Sequence, residues 1–320
     1  MSEVFRPKLK EVPKPVLIKG RRDYRVRAHG VKKNIGRFFS CLSQHLYGGK
    51  THEGVWEAIE ITENKRYSRC FCPDIIDKKE GGILTTEVKS MSRKRSRPLC
   101  PLKQLENACS SLLGRLEEGQ EMPSHEYHVY GYGKRRDGVS FLKSTKGKMV
   151  STLAQMPKKL VTFPLPLALL LYSRSRHEVM NHTKSNFGRD SELYWGFLLS
   201  SFDLAFEGQD FLGFLRESPN GQQHFKNIEV EDCFLDRMSV EQSMVPTRKV
   251  SYCGRDTEMP GFPVARINLS LEDRAEWLRH FYSEHKRILD DLLLTDLFQQ
   301  RSEYLERTEK KEEPEDEVPF

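Results

Sequence analysis

CPDIIDKKEGGILTTEVK, at residues 72–89, is the stretch that decides the fold of this 320-residue chain. Two apolar segments flank a polar turn that contains Gly81 and Gly82. Apolar and polar side chains that alternate around such a turn are typical of a β-hairpin. The pattern therefore predicts one strand over 69–77 and a second strand over 83–90.

Three charged residues lie on these two predicted strands. Asp74 comes thirteen positions before Glu87, and Lys89 follows Glu87 by two positions. Residues two apart on a strand point to the same face of the sheet, and neighbouring strands lie about 4.8 Å apart. Because pairing across the turn would bring Asp74 beside Glu87, we expect two carboxylates and one ammonium group to meet at one place.

This trio suits the hydrolysis of phosphodiester bonds. The two carboxylates offer the hard oxygen ligands that Mg²⁺ prefers, and Mn²⁺ is a second candidate cation. A bound metal generates hydroxide and offsets charge on the phosphate oxygens. Lys89 can orient the attacking water or stabilise the developing anion. The alternative is a salt bridge on a surface hairpin, since 31% of the residues are charged.

The elements around the hairpin indicate an α/β (α+β) fold. Apolar residues at three- and four-residue steps predict a helix over 33–47, which a pair of glycines would end. Residues 55–61 are predicted to form a strand or a short helix, and Pro101 begins a second predicted helix. Two more strands are expected near 127–132 and 139–143. The predicted order is helix, three strands, helix and two strands.

Basic residues gather directly after the hairpin. The formal net charge of the chain is only +6, but no acidic residue occurs between Lys89 and Lys103. The basic residues that follow the trio are Arg93, Lys94, Arg95, Arg97 and Lys103. Because a phosphate chain bound at the trio would run past them, we expect them to contact a nucleic-acid backbone. A nuclear import signal and a solvated loop stay open as alternatives for residues 93–97.

The motif resembles that of the PD-(D/E)XK nuclease superfamily. The resemblance rests on Pro73-Asp74, on Glu87-Val88-Lys89 and on Gln104 in the following predicted helix. More narrowly, residues 33–145 are similar to the conserved herpesviral nuclear protein family, which carries an endonuclease core. The further matching stretches are Leu46-Tyr47-Gly48, Val55-Trp56-Glu57-Ala58, Gly81-Gly82 and Leu102-Lys103-Gln104-Leu105.

The resemblance implies a restriction-endonuclease-like core, in which a helix, a mixed three-stranded sheet, a helix and a further strand follow one another. It also implies a role for five residues: Asp74 and Glu87 as metal ligands, Lys89 as the catalytic lysine, Gln104 as a polar group near the site, and Glu57 as the upstream acidic residue. Glu53 and Glu60 compete with Glu57 for the upstream role.

The composition divides the chain into four segments. We expect a flexible basic arm at 1–30, the nuclease-like core at 31–150, a mainly helical accessory region at 151–305 and an acidic disordered tail at 306–320. Residues 1–37 hold twelve Lys or Arg against three acids, whereas residues 306–317 hold seven acids against three bases. This asymmetry is typical of a protein that binds a polyanion.

The sequence therefore predicts a metal-dependent nuclease that acts on DNA, with RNA kept open as the substrate. A nuclease fold without catalysis, which serves as a nucleic-acid-binding or regulatory module, is the alternative. Residues 151–305 are expected to supply a homodimer contact or to bind a protein partner. No segment is apolar enough to cross a membrane. Seven cysteines without an export signal indicate an intracellular protein, in the nucleus of a eukaryotic or viral system and otherwise in the cytoplasm.

Overall fold

A seven-stranded mixed sheet runs through the described part of the chain. The computed structural model describes residues 17–18, 21–22, 24–52, 57–59, 69–79, 82–91, 101–120, 123–132, 138–145, 148–171, 210–217, 228–252 and 255–283. The helices in these segments are α1 (Tyr24–Tyr47), α2 (Pro101–Glu117), α3 (165–171), α4 (Phe211–Glu217), α5 (Ile228–Asp236) and α6 (271–283).

The described strands are mostly short. They are β1 (Leu17–Ile18), β2 (Arg21–Arg22), β3 (Lys50–Thr51), β4 (Glu57–Ile59), β5 (Arg69–Phe71), β6 (Ile75–Lys79), β7 (Gly82–Met91), β8 (Ser124–Tyr132), β9 (Gly138–Thr145), β10 (Lys148–Gln155), β11 (Pro157–Pro164), β12 (Ser239–Val245), β13 (Arg248–Tyr252), β14 (Arg255–Met259) and β15 (Phe262–Asn268).

The central sheet has the strand order β12-β15-β11-β8-β7-β6-β3. Strand β6 pairs antiparallel with β3 and β7, whereas β7 and β8 are parallel. Strand β11 then pairs antiparallel with β8 and parallel with β15, which has β12 as its antiparallel neighbour. A parallel pair needs a crossover connection, and α2 lies between β7 and β8 in the chain. The prediction of a mixed α/β fold is confirmed at this level.

Helix α1 covers one face of the sheet. Its buried residues Phe38, Phe39 and Leu42 belong to an apolar cluster that includes Ile75 of β6 and Val88 of β7. Side chains on a strand alternate between faces, so the odd-numbered neighbours of Val88 point to the opposite face. Because α1 packs against the face that carries Val88, the side chains of Glu87 and Lys89 lie on the other face of the sheet.

A larger apolar cluster fills the opposite face. Leu105 and Leu112 of α2 pack there with Tyr127 of β8 and Phe163 of β11. The predicted apolar stripe of α2 is confirmed at these positions, because both leucines are buried. Glu87 and Lys89 point to this face.

The two glycines that follow α1 end the helix as the sequence predicts. Gly48 and Gly49 have φ angles of 92° and 83°, which L-residues with a Cβ rarely adopt. A Cβ on Gly49 would also lie 2.8 Å from Cγ2 of Ile75 and 3.1 Å from the carbonyl oxygen of Ile76. Glycine here lets the chain turn closely against β6. The helix begins at Tyr24, nine residues before the predicted start.

The strand predicted over 69–77 is broken in two. Strand β5 pairs with β4 in a small separate sheet, whereas β6 pairs with β7. Between them stands Pro73, which has no N–H for a ladder hydrogen bond, followed by a bend at Asp74. The second predicted strand is confirmed as β7.

The described part of 151–305 holds strands as well as helices, which differs from the expected mainly helical region. Strands β11, β12 and β15 from this part join the central sheet. Strand β11 is buried over most of its length, and a short apolar run of this kind cannot be distinguished from a buried helix by periodicity. Aromatic and leucine residues at helical spacing also predict a helix over 191–215, and this segment lies mostly outside the described residues.

Ser270 and Asp273 form a capping-box-like pair that predicts the start of a helix with Leu278 and Phe281 on its apolar face, and helix α6 begins there. The hydroxyl of Ser270 accepts a hydrogen bond from the backbone N–H of Asp273 at 3.1 Å. Its residues Leu278 and Phe281 are buried, as the predicted apolar face requires. Among the described residues, no helix combines the length and the apolar character that crossing a bilayer requires.

Candidate active site

Three hydrogen bonds fix Asp74 at the bend between β5 and β6. Its backbone N–H donates to the carbonyl of Thr86 at 2.9 Å, and its own carbonyl accepts the N–H of His52 at 2.9 Å. Its side-chain Oδ2 accepts the N–H of Val88 at 2.8 Å. The carboxylate is thereby attached to β7, in the segment that carries Glu87 and Lys89.

Glu87 and Lys89 occupy alternate positions of β7, in register with Tyr127 and Val129 of β8. The ammonium group of Lys89 donates a hydrogen bond to Oε1 of Glu87. The side chain of Glu87 is 10% exposed and that of Lys89 is 21% exposed. The sequence-predicted meeting of two carboxylates and an ammonium group is therefore present in the structure, in a largely buried place.

Burial perturbs both carboxyl groups. Burial raises the pKa of Glu87 to about 7; the positive charge of Lys89 opposes this rise, and the nearby Asp74 adds to it. Burial also raises the pKa of Asp74, against the effects of Lys89 and of the Val88 N–H. One ammonium group does not offset two buried carboxylates. At neutral pH the pair is therefore poised to gain a proton or another positive charge.

The donor set fits a hard divalent cation. Carboxylate oxygens are the protein ligands that Mg²⁺ and Mn²⁺ accept, and Mg²⁺ commonly uses one or two of them while it keeps several waters. Burial raises the pKa of Asp74 and of Glu87 although Lys89 opposes the rise, so among the described residues a single cation faces the two carboxyl groups. In the part of the chain that the structure describes, no three His, Cys, Asp or Glu side chains form a ligand group. The two carboxylates are thus the protein ligands available there.

The other predicted site residues are placed only in part. Glu57 lies in β4, where it pairs with Phe71, but its side chain is not among those described. Gln104 and Lys103 lie in the first turns of α2, also without described side chains. The basic residues Arg93, Lys94, Arg95 and Arg97 lie outside the described residues, as do the competing acids Glu53 and Glu60.

His52 is a neighbour of the trio that sequence reasoning missed. It follows β3, and its N–H bonds to Asp74. The signal in the sequence was weak, because β3 is only two residues long and a lone histidine has no characteristic spacing. Only the pairing of β3 with β6 brings it to the site.

A second buried polar group lies on β8, where Glu126 and His128 are in register with Thr86 and Val88 of β7. Glu126 accepts a hydrogen bond from Nη2 of Arg274 at 2.8 Å, and Nε2 of His128 lies 3.7 Å from its other oxygen. Burial alone would raise the pKa of Glu126, but His128 and Arg274 beside it lower this pKa to about 2. Neighbouring His125 bonds to Thr85 at 2.9 Å, and burial lowers the pKa of His125 to about 3. This group is charge-balanced, unlike the trio.

No protein-family model and no curated protein matches the chain. The residues and their geometry therefore carry the functional argument.

Proposed function

We propose that this protein is a divalent-metal-dependent nuclease that hydrolyses DNA phosphodiester bonds, with a core of the PD-(D/E)XK type. The observation that carries the proposal is that the half-buried carboxyl group of Asp74 and the buried carboxyl group of Glu87 lie close together, beside the ammonium group of Lys89. Burying two like charges with a single counter-charge costs folding free energy. Perturbed carboxyl pKa values of this kind are typical of functional sites.

The order of the elements supports the same proposal. Helix α1, the antiparallel strands β3, β6 and β7, helix α2 and strand β8 occur in this order, with β8 parallel to β7 and with the separate pair β4 and β5 between β3 and β6. This is the order that the resemblance to the PD-(D/E)XK superfamily implies. Asp74 lies at the bend directly before the second strand of that series and Glu87 lies on the third strand, an arrangement that is compatible with the motif.

Each member of the trio has a separate task in this proposal. Asp74 and Glu87 would hold the cation, and the Val88 N–H keeps the Asp74 carboxylate turned toward β7. When bound, Mg²⁺ lowers the pKa of a water and offsets charge on the phosphate oxygens. Lys89 holds its ammonium group beside Glu87, where it can orient the attacking water and stabilise the added negative charge on phosphorus-bound oxygens.

The basic segment after β7 is assigned to the nucleic-acid backbone. Lys103 lies at the start of α2, directly after the stretch that holds Arg93 to Arg97. Cationic side chains at this point of the chain would bind phosphates on either side of the scissile bond, and such binding weakens with salt. Contacts of this type do not distinguish DNA from RNA, so both substrates belong in the test.

The test is cleavage of supercoiled plasmid, single-stranded DNA and single-stranded RNA by purified protein. Each substrate is incubated with Mg²⁺, Mn²⁺ or EDTA. We expect cleavage of DNA with either metal, none with EDTA, and a loss of about a hundredfold or more in Asp74→Asn, Glu87→Gln and Lys89→Met. Glu241→Gln removes an exposed carboxylate from the edge strand β12 and is the matched control, with unchanged activity expected.

The outcomes distinguish an active nuclease from a nucleic-acid-binding module with the same fold. Metal-dependent cleavage that the three variants lose, while Glu241→Gln keeps it, supports the enzyme. Salt-sensitive binding of DNA without cleavage under either metal would instead support a nucleic-acid-binding module on a nuclease fold. Cleavage of RNA alone would change the substrate and keep the site.

A further inference from the structure

The pairing of β3 with β6 places His52 on the same side of the sheet as the acidic pair. Thr51 lies opposite Ile75, which packs in the α1 cluster on the other face. Because side chains alternate along a strand, the side chain after Thr51 points away from α1. Glu87 points to that same face. The hydrogen bond of 2.9 Å from the His52 N–H to the Asp74 carbonyl holds His52 and Asp74 side by side.

The imidazole of His52 has an unused hydrogen-bonding atom. Its Nε2 is buried and has no hydrogen-bond partner among the described residues. A buried polar atom without a partner is costly, and in folded proteins such atoms are nearly always paired with protein or with ordered water. His52 therefore points to a group that the site receives from solvent.

We propose that His52 is a positioning residue of the acidic site, and that its Nε2 binds a water which bridges to Asp74, Glu87 and their cation. This inference rests on the proposed function. A direct ligand role does not fit, because no three His, Cys, Asp or Glu side chains of the described chain form a ligand group. A water bridges polar groups that are too far apart to bond directly. Such outer partners commonly change metal affinity by about 10- to 100-fold.

The experiment measures Mn²⁺ binding, by the electron paramagnetic resonance signal of free Mn²⁺, in the full chain without nucleic acid. His52→Phe keeps a ring of similar size and removes both nitrogens, whereas His52→Gln keeps a polar group at a similar reach. We expect the Kd for Mn²⁺ to rise about tenfold or more in His52→Phe and much less in His52→Gln. Thr51→Ala, on the opposite face of the same strand, is the matched control and should bind as the wild type does.

A purely structural role would show itself differently. In that case, the variant with the lower metal-free thermal midpoint would also be the variant with the weaker Mn²⁺ binding. We expect instead that His52→Phe and His52→Gln both fold and differ in their Kd for Mn²⁺. Equal Mn²⁺ affinity in His52→Phe and the wild type, with binding lost in Asp74→Asn, would overturn the role of His52 and leave the nuclease proposal intact. Wild-type binding in Asp74→Asn would remove the metal site itself, and both proposals with it. If His52→Phe does not fold, His52→Ala takes its place.

Discussion

The environment of Glu87 differs strongly from that of an ordinary surface carboxylate. It lies on a strand whose ladder bonds join β6 and β8, and it has Asp74 and Lys89 as charged neighbours. Burial disfavours its ionised form more than Lys89 favours it, so its pKa rises to about 7. In water the same side chain would titrate near pH 4.3. The folded protein therefore holds a proton here that the unfolded chain releases.

This difference predicts how the metal-free protein responds to pH. A carboxyl with a raised pKa binds more protons in the folded state, so its contribution to stability falls as pH rises from about 4.3 to about 7. Glu87→Gln removes this dependence. We expect the variant to gain stability relative to the wild type between pH 5 and pH 8, by up to about 3 kcal/mol. Urea unfolding in EDTA at the two pH values measures the change.

The control for this prediction is again Glu241→Gln, in which an exposed carboxylate is replaced. Its stability relative to the wild type should be the same at both pH values. An identical offset for Glu87→Gln at pH 5 and pH 8 would contradict the assigned burial. Repeating the series with Ca²⁺ should favour the wild type at pH 8, because a bound cation stabilises only the protein that binds it.

At the scale of elements, the connection from α1 to β3 determines how closely the first helix approaches β6 and β7, the two strands that position Asp74 and Glu87. Gly49 combines a φ of 83° with a close approach to β6. Gly119, after α2, has a φ of 68° but no atom within 4 Å of an added Cβ. Alanine substitutions at the two glycines therefore distinguish the free-energy cost of the backbone conformation from the cost of steric overlap.

We expect Gly49→Ala to destabilise the protein by more than Gly119→Ala does. Gly119→Ala should cost about 1 kcal/mol, which is the cost of a left-handed conformation for a residue with a Cβ. Gly49→Ala adds overlap with Ile75 and with the backbone of Ile76, so its cost should be about 2 kcal/mol or more. Chemical denaturation of both variants measures the difference. Equal costs would mean that the loop shifts without penalty.

The short strand β3 shows why this connection matters for the site. It is two residues long, and β6 is its only described neighbour in the sheet. Its position depends on the turn at Gly48 and Gly49 rather than on a long ladder. A shift there would move His52 relative to Asp74, so Gly49→Ala should also weaken Mn²⁺ binding.

For the whole molecule, the central sheet joins both halves of the chain. Strands β7 and β8 come from the predicted core, whereas β11, β15 and β12 come from the part after residue 150. The buried pair of Glu126 and Arg274 crosses the same boundary and links β8 to α6 over 148 residues. Sheet and ion pair together imply that the described halves unfold cooperatively.

Removing one partner of this ion pair tests that coupling. Arg274→Met leaves the Glu126 carboxylate buried without its guanidinium partner and should cost about 3 kcal/mol or more at pH 7. Because the folded pKa of Glu126 is lowered to about 2, the stability from this pair is present above about pH 4.3 and is lost as pH falls toward 2. The cost of Arg274→Met should therefore shrink at low pH. Urea unfolding at pH 7 and pH 3 measures it.

The double variant provides the control. Adding Glu126→Gln to Arg274→Met removes the unpaired charge and should recover part of the lost stability, which gives a coupling energy for the pair. One unfolding transition for all variants is expected. Two separate transitions would mean that the halves are independent domains, and the boundary near residue 150 would then separate them.

Local signals in the sequence were sufficient for several elements of this protein. The turn between apolar segments predicted β7, the glycine pair predicted the end of α1, and Ser270 predicted the start of α6. Each of these features depends on neighbours within a few residues, where backbone sterics and capping act. The spacing of Asp74, Glu87 and Lys89 also predicted their meeting, because a hairpin brings nearby residues together.

Other features depend on contacts that are distant in the chain. The predicted strand is divided at Pro73 because its two parts pair with different strands, β5 with β4 and β6 with β7. The segment of β11 is a short apolar run in the sequence. Only its pairing with β8 and β15 determines that it forms a strand rather than a helix. The position of His52 needed the register of β3 against β6.

By itself, the sequence determined the residues of the candidate site, because a short hairpin brings them together. It also predicted the end of α1 and the start of α6, because capping and glycine conformation are local. Only the tertiary structure decided how deeply the acidic pair is buried, which residue stands beside it and which strands extend the sheet. The physical reason is that burial and strand pairing depend on segments far apart in the chain, and no local pattern specifies which of them meet.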